Sequence, residues 1–260
     1  MQRLDTVAII ASNIAEMIEA HFAVLMLGAV LNPINTDLMR RPSLSPLVKH
    51  GQAKVFIVDG EHARVAKEAL AQVRHAVDVI DIGVPGQSAS PIGAIGYEAL
   101  LATGDPDFAP NQPTDEWQSL CLLYTSGTTG DPKGAVYQSP GRLFVGNGQR
   151  AHVWANPRQH LLVDLCRCSI ATVGPSFCAV IARGGTQVCL RKVELGTNFP
   201  SDRQSMTVTH LCGAPIVLQH DRQVRPLMSA CQLRIRCAAP PAAPPRLPAF
   251  SAPWKQSASR

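Results

Sequence analysis

Between Tyr124 and Gly134 the chain reads Tyr124-Thr125-Ser126-Gly127-Thr128-Thr129-Gly130-Asp131-Pro132-Lys133-Gly134. Thr125, Ser126, Thr128 and Thr129 offer hydroxyl donors, and the glycines let the backbone turn tightly and present its N–H groups to a ligand. Lys133 adds a mobile positive charge, so the segment has the chemistry of a phosphate cradle. It is not a Walker loop. Pro132 stands where that motif needs its second glycine, and Lys133 is followed by Gly134 where the motif has Ser or Thr. Composition alone also fits an ordinary Gly/Ser-rich hairpin turn.

The flanking residues predict what holds this loop. Leu120 to Thr125 and Gly134 to Gln138 are apolar strands that enclose it. Upstream, strand-like and helix-like segments alternate. Thr6 to Ile10 is a β-branched apolar run, followed by a helix with a capping box expected at Asn13 and Glu16. Ile14, Met17, Ile18, Phe22 and Leu25 recur at helical spacing, and Gly28 is placed to stop the helix. Val55 to Val58 predicts a strand, Glu61 to Arg74 a helix, Val77 to Ile82 a strand and Tyr97 to Ala102 a short helix. Strands separated by helices need crossover connections, so the expected class is α/β with a mostly parallel, helix-covered sheet. Gly83 to Gly96 and Gly104 to Asp115 read as surface loops, and Thr186 to Leu190 and Val208 to Cys212 as the last strands. Ala238 to Arg260, rich in Pro and Ala without apolar period, is expected to be disordered, which divides the chain into a domain over 1–237 and a tail over 238–260.

Composition narrows the function classes. The 260 residues are 46% hydrophobic and 17% charged, which excludes wholesale disorder. The net charge of +5 is unevenly spread: Gln204 to Arg260 holds seven basic residues against the single acid Asp221, so the remainder is nearly neutral. With no aromatic interleaving in the basic quarter, no nucleic-acid partner is expected. The longest apolar stretch, Phe22 to Leu31, is ten residues where a membrane span needs about 20. With a polar start at Met1 to Asp5, this leads to the expectation of a cytoplasmic protein. The eight cysteines then read as reduced thiols, and Cys166-x-Cys168 with Cys178 and His210 lacks zinc-site spacing.

Tyr124 to Gly134 resembles, residue for residue, the phosphate-binding signature Y-T-S-G-T-T-G-x-P-K-G of the adenylate-forming acyl-CoA synthetases. Asp5-Thr6-Val7-Ala8, Glu19-Ala20-His21-Phe22, Gly28 to Asn32 and Gly51 to Asp59 are similar to that family's first strand, helix, turn and next strand. Asp105 to Phe108, Asp115-Glu116-Trp117, Gly184 to Val193 and Val208 to Pro215 resemble the branch acting on short and medium-chain or methylthio-substituted fatty acids. The resemblance implies part of the N-terminal domain of the acyl-adenylate-forming fold. It also implies a two-step ligation: ATP and a carboxylate give an acyl-adenylate and pyrophosphate, then the thiol of coenzyme A displaces AMP. ATP, Mg²⁺ and coenzyme A are the implied cofactors and a carboxylic acid the substrate. Thr125, Ser126, Gly127, Thr128, Thr129, Gly130 and Lys133 would hold the triphosphate, with Lys133 also catalytic. Gly213-Ala214-Pro215 resembles a turn lining the acyl pocket, whereas His210 reads as a packing residue.

Other family parts have no counterpart in these residues: the Tyr-Gly-x-Thr-Glu segment whose Glu holds Mg²⁺, the ribose-binding Asp, and the lid domain with its adenylation lysine. The expectation is an incomplete synthetase without activity; the alternative is a non-catalytic nucleotide-binding or degenerate fragment. Leu38 to Leu47 and Cys166 to Phe177 leave the family pattern and return to it in register. Permissible codons for the first conceal D-A-P-S-V-A-F-A-I in a neighbouring frame, and those for the second L-P-M-F-H-C-N-G-W-S-F-L, both strings of the family's kind. Residues 249–260 similarly conceal I-F-S-T-V-E-A-I-G-F-T. We therefore expect the gene to encode the synthetase helix in an adjacent frame, followed by Tyr-Gly-x-Thr-Glu. Sequencing the locus checks this, and absence of both segments from the other frames removes the frame-shift account.

Overall fold

A computed structural model describes residues 1–35, 45–86, 91–115, 117–125, 132–138, 160–163, 181, 184–189, 191 and 210–212. Strand β1 (Thr6–Ile10) lies within a seven-stranded sheet of order β5-β4-β3-β1-β2-β6-β7. Its residues Val7 to Ile10 are all buried, as befits an apolar run without polar alternation in a sheet covered on both faces. The other members are β2 (Val30–Pro33), β3 (Ala53–Asp59), β4 (Asp78–Ile82), β5 (Ile95–Gly96), β6 (Ser119–Thr125) and β7 (Lys133–Gln138). All neighbours pair in parallel except β6 and β7, which form an antiparallel hairpin at one edge.

The two-residue period of β1 feeds two cores. Val7 and Ile9 pack with Met17, Ala20 and Val24 of helix α1 (Ala15–Met26), and Tyr97 of α4 (Tyr97–Leu101) joins them. Ala8 and Ile10 point the other way, into a cluster with Leu47 and Val48 of α2 (Ser45–His50) and Ala66 and Ala69 of α3 (Ala63–Leu70). Thus the β1–α1–β2 crossover covers one face and the β3–α3–β4 crossover the other, while β1 and β3 lie side by side. Where neighbouring strands send their connections to opposite faces, the carboxyl ends of the strands leave a crevice. A separate parallel sheet, of order β10-β8-β9, contains β8 (His160–Val163), β9 (Thr186–Cys189) and β10 (His210–Cys212).

The expected α/β class and mostly parallel sheet are present. Several local readings are corrected. The helix start expected at Asn13 lies one residue further on: the N-cap is Ile14, without a side-chain cap bond of its own. Glu16 sits in the first turn, where its charge favours the helix dipole. The helix expected over 61–74 is a 3₁₀ turn, Gly60–His62, followed by the shorter α3. Asp59 caps the turn by accepting from the Glu61 N–H at 3.3 Å. At the other end, the His75 ring bonds the Ala53 carbonyl at 3.0 Å, so the chain must already have turned back toward β3. Val30 to Asn32, within the expected turn, belong to a strand in register with β1, and Ile95–Gly96 in the expected surface loop is a short edge strand. Gly28 does end α1, at φ +73°, and the segment after Gly104 returns to seal that end: Asn111 donates to Met26 O at 2.8 Å and to Leu27 O at 3.0 Å. The expected tail lies outside the described residues.

Candidate functional site

Strand ends set the geometry at the hairpin. Tyr124 faces Gly134 and Thr125 faces Lys133 in antiparallel register, so the two ends of the seven-residue segment 126–132 are held across from each other by the ladder. Lys133 is exposed there, which leaves its ammonium free to meet an anion. Ser126, Gly127, Thr128, Thr129 and Gly130 lie outside the described residues, as do Gly213, Ala214 and Pro215; for Thr125 the backbone alone is described. Of the expected site residues the structure therefore places Lys133 and the main chain of Thr125, and brings them opposite one another.

Beneath the hairpin lies a packed support that periodicity does not disclose. The Tyr124 ring is buried with the α2–α3 core, and burial pushes its hydroxyl up to about 12. That hydroxyl lies 2.6 Å from Nδ1 of His50, the last residue of α2, and the two rings meet edge-on with centroids 5.8 Å apart. Gly134 is tightly overlain: a Cβ there would come within 3.1 Å of Leu122 Cδ1 and 3.3 Å of Tyr124 Cε1. Gly51, just after α2, is similarly confined, since a Cβ would stand 2.8 Å from Asn32 Nδ2 and 3.0 Å from Leu47 O. Asn32 is fully buried and its Nδ2 donates to Leu47 O at 3.4 Å. The end of α2 is thereby held against the sheet face over β2 and β6.

A second polar group occupies the crevice at the carboxyl ends of β1 and β3. Ser12 N donates to Asp59 Oδ2 at 3.2 Å and Ser12 Oγ to Glu61 Oε2 at 2.9 Å. Arg191, two residues after β9, donates to both oxygens of the fully buried Asp59 at 2.9 Å and lies 3.5 Å from Glu61. Partial burial opposes the Arg191 charge, but the bonds and charges of Asp59 and Glu61 outweigh it and raise its pKa further. Asp59, Glu61 and His62 hold metal-type donor atoms within 4.8 Å of one another. With a guanidinium already seated on Asp59, this group does not fit a divalent cation; it joins the two sheets. Neither His50 nor Arg191 was marked by the sequence as a site residue, because their partners lie 74 and 132 positions away. Cys189 is half-buried with its thiol pushed up to about 11, first by burial and then by Glu16, which makes it a poor nucleophile.

The exposed Lys133 thus stands on an edge hairpin of a doubly covered, mostly parallel sheet in an α/β domain. The AMP-binding enzyme family matches residues 1–243, and the chain belongs to it. Among curated relatives, it is 35% identical to an Arabidopsis thaliana protein named acetate/butyrate–CoA ligase AAE7, peroxisomal, over 91% of this chain and 44% of that protein. It is 34% identical to 2-methylpropanoate–CoA ligase CCL4 of Humulus lupulus, again over 91% and 44%. The chain thus spans less than half the length of these relatives. Among solved structures, it superposes on the anthranilate CoA ligase AuaEII in complex with anthranoyl-AMP with a TM-score of 0.72, at 18% identity over 84% of this chain and 41% of that one. The N-terminal domain of FACL13 from Mycobacterium tuberculosis gives 0.67 at 24% identity, over 86% and 53%. The expected fold, the N-terminal domain of the adenylate-forming enzymes, is the one observed. No helix among the described residues is long and apolar enough to cross a membrane.

Proposed function

We propose that the domain, taken as residues 1–237, carries the triphosphate-binding part of an AMP-forming acid–thiol ligase. In the full reaction a carboxylate attacks the α-phosphorus of ATP, pyrophosphate leaves, and the thiol of coenzyme A then displaces AMP from the acyl-adenylate. Two anions meet in the first step, so its barrier is largely electrostatic. Lys133 and the hydroxyls of Thr125, Ser126, Thr128 and Thr129 neutralise the phosphates, with Gly127 and Gly130 admitting close approach of the main chain. This donor set fits phosphate oxygens. It supplies no carboxylate for Mg²⁺, and a metal enters this reading through the family alone. Gly213, Ala214 and Pro215 are proposed to line the acyl pocket, and the names of the relatives point to a short-chain carboxylic acid as its occupant.

The observation that supports this reading is the exposed Lys133 directly opposite Thr125, within a chain of the AMP-binding family. Calorimetric titration tests it. ATP is expected to bind more tightly than adenosine, because the contacts proposed here are to phosphates, and Lys133→Ala is expected to weaken ATP by about tenfold or more. Equal affinity for adenosine and ATP, or an unchanged affinity in Lys133→Ala, defeats the assignment.

A further inference from the structure

Resting on the reading that the hairpin binds a triphosphate, we propose that His50 is a positioning residue for Lys133, acting through Tyr124. The physical connection runs through described contacts at every step. His50 closes α2, and α2 is fixed in turn by Leu47 and Val48 in the core and by the Asn32 bond to Leu47 O. Its Nδ1 meets the Tyr124 hydroxyl at 2.6 Å. The un-ionised phenol can donate to Nδ1 when the ring proton is on Nε2, and can accept from Nδ1–H in the other tautomer, so one hydrogen bond joins the pair in either form. The Tyr124 ring, oriented by that bond, closes over Gly134, its partner across the ladder. Gly134 follows Lys133 directly. Rotation of the ring therefore moves the backbone that carries the ammonium.

Two features make this more than an ordinary buried hydrogen bond. Gly134 has no side chain to resist the ring, so the ring itself sets how deeply β7 sits against β6. The connection also reaches the hairpin from α2, on the far side of the crossover. β2, the neighbouring strand, pairs with β6 in register at Leu31 and Cys121 only. Helix α2 thus orients the ammonium although it does not touch a nucleotide.

Titration of the 260-residue chain with ATP and with inorganic tripolyphosphate tests the proposal. Tyr124→Phe and His50→Ala are each expected to weaken both ligands about three- to tenfold, the range for one lost hydrogen bond whose partner stays in place. The double variant should be no worse than the weaker single variant. His50→Asn should recover most of the affinity, since its carboxamide oxygen can accept from the phenol. In a Lys133→Ala background, Tyr124→Phe should have little further effect, which separates positioning of Lys133 from a general loss of stability. Near wild-type affinity in Tyr124→Phe, or an equal loss with and without Lys133, overturns the inference. Tyr124→Phe keeps the buried ring and decides the matter where His50→Ala does not fold. A wild-type chain that binds ATP no better than adenosine overturns the nucleotide reading, and this inference with it.

Discussion

Supplied with ATP, Mg²⁺, coenzyme A and a short fatty acid, the 260-residue chain is expected to release no acid-dependent pyrophosphate above its Lys133→Ala variant. The reason is electrostatic. Adenylation builds negative charge that preorganised cations must meet, and removing one such group commonly costs about 10² to 10³ in rate. Family resemblance assigns two of these roles to a Mg²⁺-holding Glu and an adenylation lysine. Neither the Tyr-Gly-x-Thr-Glu segment nor the lid sequence occurs among these residues. Two such losses together correspond to about 10⁴ or more, which takes turnover below detection. Pyrophosphate release that depends on the acid and exceeds the control shows the expectation to be wrong. Binding of ATP without turnover is the combined result consistent with a phosphate-holding part of the site.

The largest expected effect on stability lies at Arg191. Asp59 is wholly buried and its carboxylate has Arg191 on both oxygens. Removing the guanidinium leaves that charge with backbone donors from Ser12 and Glu61, and breaking one partner of a buried pair typically costs about 3 to 5 kcal/mol. Arg191→Met is therefore expected to lower the urea midpoint strongly. Asp59→Asn in the Arg191→Met background should recover part of the loss, because the buried charge is then gone. Arg64→Ala serves as a control, since its bond to Glu68 joins two exposed side chains at helical spacing. A midpoint in Arg191→Met equal to that of the control shows that the pair contributes nothing.

Elements built from local periodicity were legible in the sequence. The run at Thr6 to Ile10, the stop at Gly28, the short helix at Tyr97 and the two strands either side of residues 126–132 stand where spacing puts them. The failures have physical causes. Val30 to Asn32 fell within the Gly28 to Asn32 turn implied by the resemblance; they form a strand because β1 and β6 supply its partners. Residues 71–74 are apolar enough for a helix, but the His75 bond to Ala53 requires the chain to turn back. His160–Val163 is too short to stand out without its partners β9 and β10. At the site, residues 126–130 are named from their order in the sequence alone and lie outside the described residues. His50 and Arg191 were not legible, since each acquires its role through a contact made only in the folded chain.

The single register pair between β2 and β6 has a consequence for how this protein comes apart. Strands β1 and β3 share a five-pair parallel ladder and β3 and β4 another, whereas β6 has six pairs with β7 and only Leu31↔Cys121 with the rest of the sheet. The hairpin's backbone ladder is therefore stitched internally and joined to the rest of the sheet at one register pair, its other attachments including the side chains of Cys121, Leu122 and Tyr124 in the two cores. Native-state amide exchange should show it: the cross-strand amides of β6 and β7 should exchange together in one opening that leaves β1, β3 and β4 protected. Exchange of all five strands at one common free energy would mean that the sheet opens as a whole. If the hairpin does open first, β7 and the Lys133 it carries can part from β6 while the helix-covered body beneath them stays folded.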